Sequence, residues 1–178
     1  MADRILSLLA RLGVLALLAA PGAHAAPSVD EARVERGRYL AVAGDCAACH
    51  SQAGKTPFSG GVPIASPLGT IYSTNITPST GAGIGSYTQQ EFSSALRRGV
   101  RADGSHLYPA MPYTAYAKLS DADTADLYAY FMHGVKADDT APPKTQLPFP
   151  FNLRLSMALW NTLFLDTDVY RPDASRSA

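Results

Sequence analysis

Apolar residues recur at helical spacing in three parts of the chain, and each part begins with a residue that can cap a helix. In the first part, Ser28 with Glu31 three positions later predicts a capping box. The apolar positions continue through Val34 and Leu40 towards Cys46. The pattern therefore predicts a first helix that leads into the sequence around Cys46.

The second and third parts carry equally clear boundaries. Thr88 and Glu91 form another capping-box pattern, and the apolar positions after them end at Gly99. Ser120 opens the third part with acidic residues in its first turn, and Gly134 closes it. These signals predict an all-α fold with three main helices.

A glycine inside the first helix indicates how two of these helices meet. Gly37 costs about 1 kcal/mol relative to alanine in a helix interior, a cost that is offset where it admits a close helix crossing. The third helix carries Leu127, Tyr130 and Phe131 on one face. We expect this face to pack against the region of Gly37 and Tyr39.

The sequence between the first two helices is of a different kind. From Gly54 to Gly85, glycine, proline, serine and threonine dominate, which does not support long helices or strands. Loops of this length in a compact domain are usually functional or disordered, and a bound cofactor would supply a surface that orders this one.

The five residues Cys46-Ala47-Ala48-Cys49-His50 carry the clearest chemistry. Two thiols three positions apart on one helical turn can each add to a vinyl group of a haem, and the imidazole that follows can bind its iron. This string is the signal for c-type haem attachment. We expect His50 to be one axial ligand, with a backbone carbonyl near Pro63 accepting a hydrogen bond from its ring.

Other uses of Cys46 and Cys49 fit the sequence less well. A thioredoxin-like pair follows a strand, whereas a helical pattern leads into this one. A disulfide between the two, the only cysteines of the chain, gives no role to His50. A structural zinc site needs four ligands, one more than Cys46, Cys49 and His50 supply.

Met111 is the preferred candidate for the second axial ligand. Pro109 and Pro112 keep it out of a helix interior, so its thioether lies on an extended segment that can face the iron. Methionine opposite histidine is a ligand pair of cytochromes c. His106, from the same loop, is the main competitor, and an open sixth site also remains. The other candidates are Met132, His133 and Met157.

Composition and the first residues bear on location and partners. The 178 residues include 15 basic and 15 acidic side chains, a neutral balance that gives no indication of nucleic-acid binding. Arg4 and Arg11 precede an apolar run, and Ala23 and Ala25 suit signal peptidase. Residues 1–25 are therefore predicted to be a signal peptide, and the remainder to be one periplasmic domain.

Several motifs together resemble one family. They are Gly37-Arg-Tyr-Leu, the CAACH motif, Gly69-Thr-Ile-Tyr-Ser-Thr-Asn-Ile-Thr-Pro78, Leu96-Arg-Arg-Gly-Val100, Asp103-Gly-Ser-His-Leu-Tyr-Pro-Ala-Met-Pro-Tyr113 and Leu127-Tyr-Ala-Tyr-Phe-Met132. This set resembles the first haem domain of the three-haem cytochrome c subunits of membrane-bound alcohol, gluconate and aldehyde dehydrogenases.

The resemblance implies a c-type cytochrome domain with one covalent haem c held by Cys46 and Cys49 and ligated by His50 and Met111. It also implies an electron carrier rather than an enzyme. Its donor would be a periplasmic or membrane-bound dehydrogenase, and its acceptor quinone, another cytochrome or a terminal oxidase. A haem protein with a labile sixth ligand, acting as a peroxidase or gas sensor, is the alternative. A third possibility is a structural or maturation-defective fragment.

The resemblance also divides the chain. We predict a haem domain over residues 26–140 and an apolar extension or linker over 141–178. The family continues through two more haem domains, so the chain corresponds to a fragment, a truncated product or a one-haem relative. Residues 149–165 are rich in Leu, Phe and Trp but too short and interrupted to span a bilayer. We expect them to pack on the haem domain, or to associate with a partner or the membrane surface.

Overall fold

The computed structural model describes residues 29–173 and 175, so the predicted signal peptide and the predicted N-cap at Ser28 lie outside the described residues. The described chain is mainly helical. Its elements are α1 Val29–Ala43, α2 Cys46–His50, β1 Pro63–Ser66, β2 Gly69–Tyr72, α3 Gln89–Arg98, α4 Tyr113–Tyr116, α5 Asp121–Ala129, a π-helical turn Tyr130–Gly134 that continues α5, and α6 Leu155–Phe164.

The crossing of α1 and α5 confirms the role predicted for Gly37. A Cβ atom at this position would lie 2.7 Å from the Cβ of Tyr130. Leu127 and Phe131 belong to the buried apolar cluster of the domain. The expectation for Tyr39 is wrong, because 70% of this residue is exposed on the outer side of α1.

An acidic side chain at the same crossing holds two arginines of α1. Asp126 on α5 is 8% exposed, and its two carboxylate oxygens accept hydrogen bonds from Nε of Arg33 at 3.1 Å and of Arg36 at 2.8 Å. Because both arginines remain largely accessible to water, this contact fixes the register of the helices more than it adds free energy.

The predicted starts of α3 and α5 are confirmed. The hydroxyl of Thr88 accepts from the backbone N–H of Glu91, whose carboxylate accepts from the N–H of Thr88. Ser120 and Asp123 make the equivalent reciprocal pair at α5. Gly99 ends α3 with φ +64°, a conformation that favours glycine.

The prediction of an all-α fold needs correction. Within residues 54–85 the chain forms an antiparallel hairpin, with Pro63 opposite Tyr72 and Ser66 opposite Gly69. The strands are four residues each, so the expectation that no long element forms here is compatible with the structure. The short β-branched run of β2 supplies a strand signal that the glycine and proline content obscures.

The apolar extension forms a helix that the sequence analysis did not predict. One side of α6 faces the haem-domain part of the chain, where Trp160 makes an edge contact with the ring of Tyr113. The other side exposes Leu155, Leu159 and Leu163. The expectation that the segment packs on the haem domain is therefore confirmed for one side of α6, and association of its other side with a partner or membrane surface stays a prediction. Among the described residues, no helix has the length and apolar character needed to cross a membrane.

Candidate haem-binding site

A left-handed residue separates α1 from α2 and sets the direction of the cysteine-bearing helix. Asp45 has φ +52°, a conformation that aspartate tolerates better than most residues. The hydroxyl of Tyr116, from α4, donates a 2.6 Å hydrogen bond to the carbonyl of Gly44. The turn into α2 is thus tied to the element that follows Met111.

Cys46 and Cys49 lie on the single turn of α2, as predicted, and no disulfide joins them. Burial raises the pKa of Cys46 to about 11, with smaller contributions from the nearby charges of Asp45 and Cys49. This apolar environment differs from the electropositive surroundings that activate redox cysteines.

The ring of His50 is oriented by a backbone carbonyl. Its Nδ1 lies 2.7 Å from the carbonyl oxygen of Thr74, so Nδ1–H donates and Nε2 is the nitrogen left free. Burial lowers the pKa of His50, which favours the neutral imidazole that metal ligation requires. The prediction that the acceptor lies near Pro63 is wrong, because the hairpin returns the chain to His50 at Thr74 instead.

Hydrogen bonds on the side away from His50 hold the loop that carries Thr74. Asn75 is 2% exposed and donates to the carbonyl of Asp138 at 2.7 Å, and the Thr77 hydroxyl donates to the side chain of Asn75 at 2.7 Å. On the near side, Gly60 donates to the carbonyl of His50 at 2.8 Å and lies so close to Thr74 that a Cβ would reach within 2.4 Å of its carbonyl. The acceptor of the His50 ring is therefore fixed on both sides.

These elements enclose a cavity of about 560 Å³, within the roughly 300–1,000 Å³ common for cofactor pockets. Its walls are mainly apolar. The cavity brings together the two cysteines, His50 and Met111, although α3 and both strands separate His50 from Met111 along the chain. Among the apolar side chains of the lining are Ile64, Ile71, Ile76, Ile84, Phe92, Leu96, Leu107 and Phe131.

Met111 lines the cavity directly before α4 and lies outside any helix, as its flanking prolines predict. The expected extended segment is instead a turn, in which the N–H of Met111 donates to the carbonyl of Tyr108 at 3.1 Å. The competing residues that the structure describes do not line the cavity. His106 lies outside the lining, with its Nδ1 3.3 Å from Nδ2 of Asn161. Met132 packs against the buried cluster, and His133 and Met157 are also absent from the lining.

Three cations line the cavity as well: Arg101, Lys144 and Arg154. The guanidinium carbon of Arg154 stands 4.4 Å from the centre of the Tyr108 ring. Arg97, in the last turn of α3, is absent from the lining and pairs with the carboxylate of Asp121. Of the lining side chains, only Asp45 is acidic, so the cavity favours a cofactor that carries negative charge.

The arrangement fits a covalently bound haem. Two thiols occupy one helical turn, the next residue offers a free imidazole nitrogen, and a thioether lines the same apolar space. Carboxylates at the edge of a haem would meet cationic side chains rather than acidic ones.

Sequence reasoning missed several contributors to this site. The Thr74 carbonyl carries no side-chain signal, since its position follows from the path of the hairpin. Residues 142–145 and Arg154 line the cavity from within residues 141–178, the predicted extension or linker. Tyr116 and Asn161 lie in apparently ordinary helical sequence, and only their tertiary contacts distinguish them.

Fold and cavity together define a helical domain of the c-type cytochrome class. The sequence profile of the family described as cytochrome c matches residues 34–135, more than half of the chain, and the chain belongs to this family. Membership implies a covalently bound haem c, which agrees with the cavity.

Three relatives indicate which kind of c-type cytochrome this chain resembles. The chain is 59% identical over 128 residues to the fructose dehydrogenase cytochrome subunit of Gluconobacter japonicus, covering 71% of this chain and 26% of that protein. It is 48% identical over 165 residues to the gluconate 2-dehydrogenase cytochrome c subunit of Pantoea cypripedii, covering 90% and 37%. It is 42% identical over 176 residues to the cytochrome c subunit of the quinone alcohol dehydrogenase of Gluconobacter oxydans, covering 95% and 36%.

The resemblance to cytochrome subunits of dehydrogenases is thus confirmed. All three relatives are named as cytochrome subunits, which are electron carriers and not the catalytic subunits of these enzymes. The chain spans about a quarter to two fifths of the length of these relatives.

Proposed function

We propose that this chain transfers single electrons through a haem c, which Cys46 and Cys49 would hold covalently and whose iron His50 and Met111 would bind. The haem, when bound, supplies the reversible one-electron redox change. The observation that carries the proposal is the shared cavity, which His50 and Met111 line from α2 and from the segment before α4.

Each protein group has a distinct task in this proposal. Cys46 and Cys49 supply the sulfur atoms of the two thioether bonds. The Thr74 carbonyl holds the His50 ring through Nδ1 and raises the basicity of Nε2. The apolar lining excludes water, and a thioether ligand in such a pocket favours a high reduction potential.

We further propose that the electron donor is a dehydrogenase subunit in the bacterial periplasm and that the acceptor is quinone, another cytochrome or a terminal oxidase. The names of the relatives support the dehydrogenase partner. The predicted signal peptide over residues 1–25 supports export, and c-type haem is attached outside the cytoplasm. The proposal includes one haem, because the sequence contains one CxxCH motif.

The first experiment is an optical spectrum of the haem-loaded protein, expressed in a bacterium with c-type haem maturation. We expect a low-spin spectrum, the far-red sulfur-to-iron band in the oxidised form, and no rapid shift when carbon monoxide is added to the reduced form. Met111→Ala should lose the band and bind carbon monoxide, whereas His106→Ala should retain the wild-type spectrum.

The alternatives give different results in the same experiment. A wild-type protein that is high-spin, or that binds carbon monoxide rapidly, would refute the electron-carrier proposal and favour a peroxidase or gas sensor. Loss of the band in His106→Ala but not in Met111→Ala would assign the sixth ligand to His106. A mass increase of one haem that survives acid-acetone extraction checks covalent attachment and its count.

A further inference from the structure

Helix α6 contacts the segment that carries Met111 through one central side chain, Asn161. Its Oδ1 accepts a 2.7 Å hydrogen bond from the hydroxyl of Tyr113, two residues after Met111. Its Nδ2 donates at 3.0 Å to the carbonyl of Arg98 and lies 3.3 Å from Nδ1 of His106. One amide thus joins the end of α3 to both flanks of Met111.

The hydrogen bond from Asn161 to Arg98 satisfies a carbonyl at the end of a helix. Arg98 is the last residue of α3, and its carbonyl has no partner within the helix. The Asn161 amide satisfies it at the point where Gly99 brings the chain against the ring of Tyr113, to which a Cβ at position 99 would approach within 2.8 Å. The polar contacts of α6 therefore meet at a closely packed junction.

Further contacts hold the flank of the segment that precedes Met111. Arg154 donates to the carbonyl of His106 at 2.8 Å while its guanidinium stacks over Tyr108. The hydroxyl of Tyr108 donates to the carbonyl of Phe151 at 3.1 Å. Residues 151–161, the C-terminal segment, thereby contact residues 106, 108 and 113. Met111 lies between these contacts along the chain.

We propose that the C-terminal segment positions the axial ligand, with Asn161 and Tyr113 as positioning residues that keep Met111 at the haem and His106 away from it. The inference rests on the proposed His50/Met111 ligation. The segment is on this basis part of the haem site. Tyr113 is fully buried, so its hydroxyl has Asn161 and not water as its partner.

The test uses the haem-loaded full chain and three variants. Asn161→Ala removes all three contacts of the amide, and Tyr113→Phe removes one hydroxyl while keeping the ring against Trp160. Thr162→Ala is the matched control, because its hydroxyl donates only within α6, to the carbonyl of Ala158. The readouts are the sulfur-to-iron band of the oxidised protein and the rate of carbon monoxide binding to the reduced protein.

We expect Asn161→Ala and Tyr113→Phe to bind carbon monoxide about fivefold faster than wild type, the factor for loss of an ordinary hydrogen bond. The band should weaken in both variants and stay unchanged in Thr162→Ala. Because the haem remains attached by Cys46 and Cys49, these signals report the sixth ligand separately from haem retention. Far-ultraviolet circular dichroism should be the same in all four proteins.

Equal bands and equal carbon monoxide rates in all four proteins would overturn the proposal. If Asn161→Ala incorporates no haem, Tyr113→Phe decides the question alone. A wild-type protein without the band would instead refute the His50/Met111 assignment, so the two failures are distinguishable.

Discussion

Gly37 of α1 lies directly against the carbonyl oxygen of Asp126 on α5, so close that a Cβ on Gly37 would be 1.9 Å from that oxygen. No real Cβ occupies such a position, and the obstacle is backbone, which cannot rotate away. The contact sets the distance between α1 and α5, and Phe131, in the π-helical turn that continues α5, lines the cavity.

Gly37→Ala tests this crossing. Helix propensity alone would stabilise the variant by about 1 kcal/mol. Separation of the helices should outweigh that gain and lower the free energy of unfolding by about 3 kcal/mol. Denaturant titration of the haem-loaded protein measures the change. Gly81→Ala is the control, because the nearest atom to its Cβ would be 3.8 Å away, and equal stability of the two variants would contradict the interpretation.

The turn at residues 138–140, whose Asp138 carbonyl accepts a hydrogen bond from Asn75, predicts that the protein becomes less stable in acid. Hydrogen bonds from the Thr140 side chain and then from Thr56 lower the pKa of Asp138 to about 2. Because this pKa lies below that of the unfolded chain, the contribution to stability is present above about pH 4 and is lost as the pH falls towards 2. Asp138→Asn should therefore lower the unfolding temperature at pH 7 and reduce its fall between pH 4 and 2.

Thermal unfolding followed at the Soret band checks this prediction at several pH values. Other carboxylates also contribute to acid unfolding, so the comparison is with Asp168→Asn, an exposed position outside this turn. A wild-type pH profile in Asp138→Asn would contradict the role of the turn.

Arg101 should raise the reduction potential. Its side chain lines the cavity, and a nearby positive charge opposes the additional positive charge of the oxidised haem. We expect Arg101→Gln to have a lower potential than wild type in spectroelectrochemical titration. Arg97→Gln removes the same charge from a residue that pairs with Asp121 and is absent from the lining, and its potential should change less. Equal shifts in both variants would indicate a long-range effect only.

Association of residues 149–165 with a membrane surface remains a prediction. Leu159 and Leu163 are 64% and 65% exposed on the same side of α6, and apolar helix faces of this kind bind at the lipid interface. We expect the haem-loaded protein to co-sediment with vesicles of phosphatidylcholine and phosphatidylglycerol. The double variant Leu159→Ser/Leu163→Ser should lose this binding. Val42→Ser, at an exposed apolar position of α1, should retain it, and a wild-type protein left in the supernatant would refute the prediction.

The parts of the fold that depend on neighbouring residues were predicted well. The capping box at Thr88 and the N-cap at Ser120 were confirmed, because the groups that form them lie within one turn. The β1–β2 hairpin was missed, since its strands are short and surrounded by glycine and proline. The segment that forms α6 was predicted to be apolar but not to be helical. The division of the chain at residue 140 stays a prediction, although residues 142–145 and Arg154 contribute to the cavity on the other side of that division.

The sequence by itself was enough to predict the chemistry of the site. The order Cys46, Cys49, His50 predicts the haem-attachment turn because its geometry is local, and the prolines around Met111 make it a candidate ligand. Only the tertiary structure decided which backbone carbonyl meets the His50 ring, that Met111 and not His106 lines the cavity, and that Asn161 joins both flanks of Met111. These contacts join residues far apart in the chain, and their formation depends on how the loops and helices pack rather than on the order of residues within any one of them.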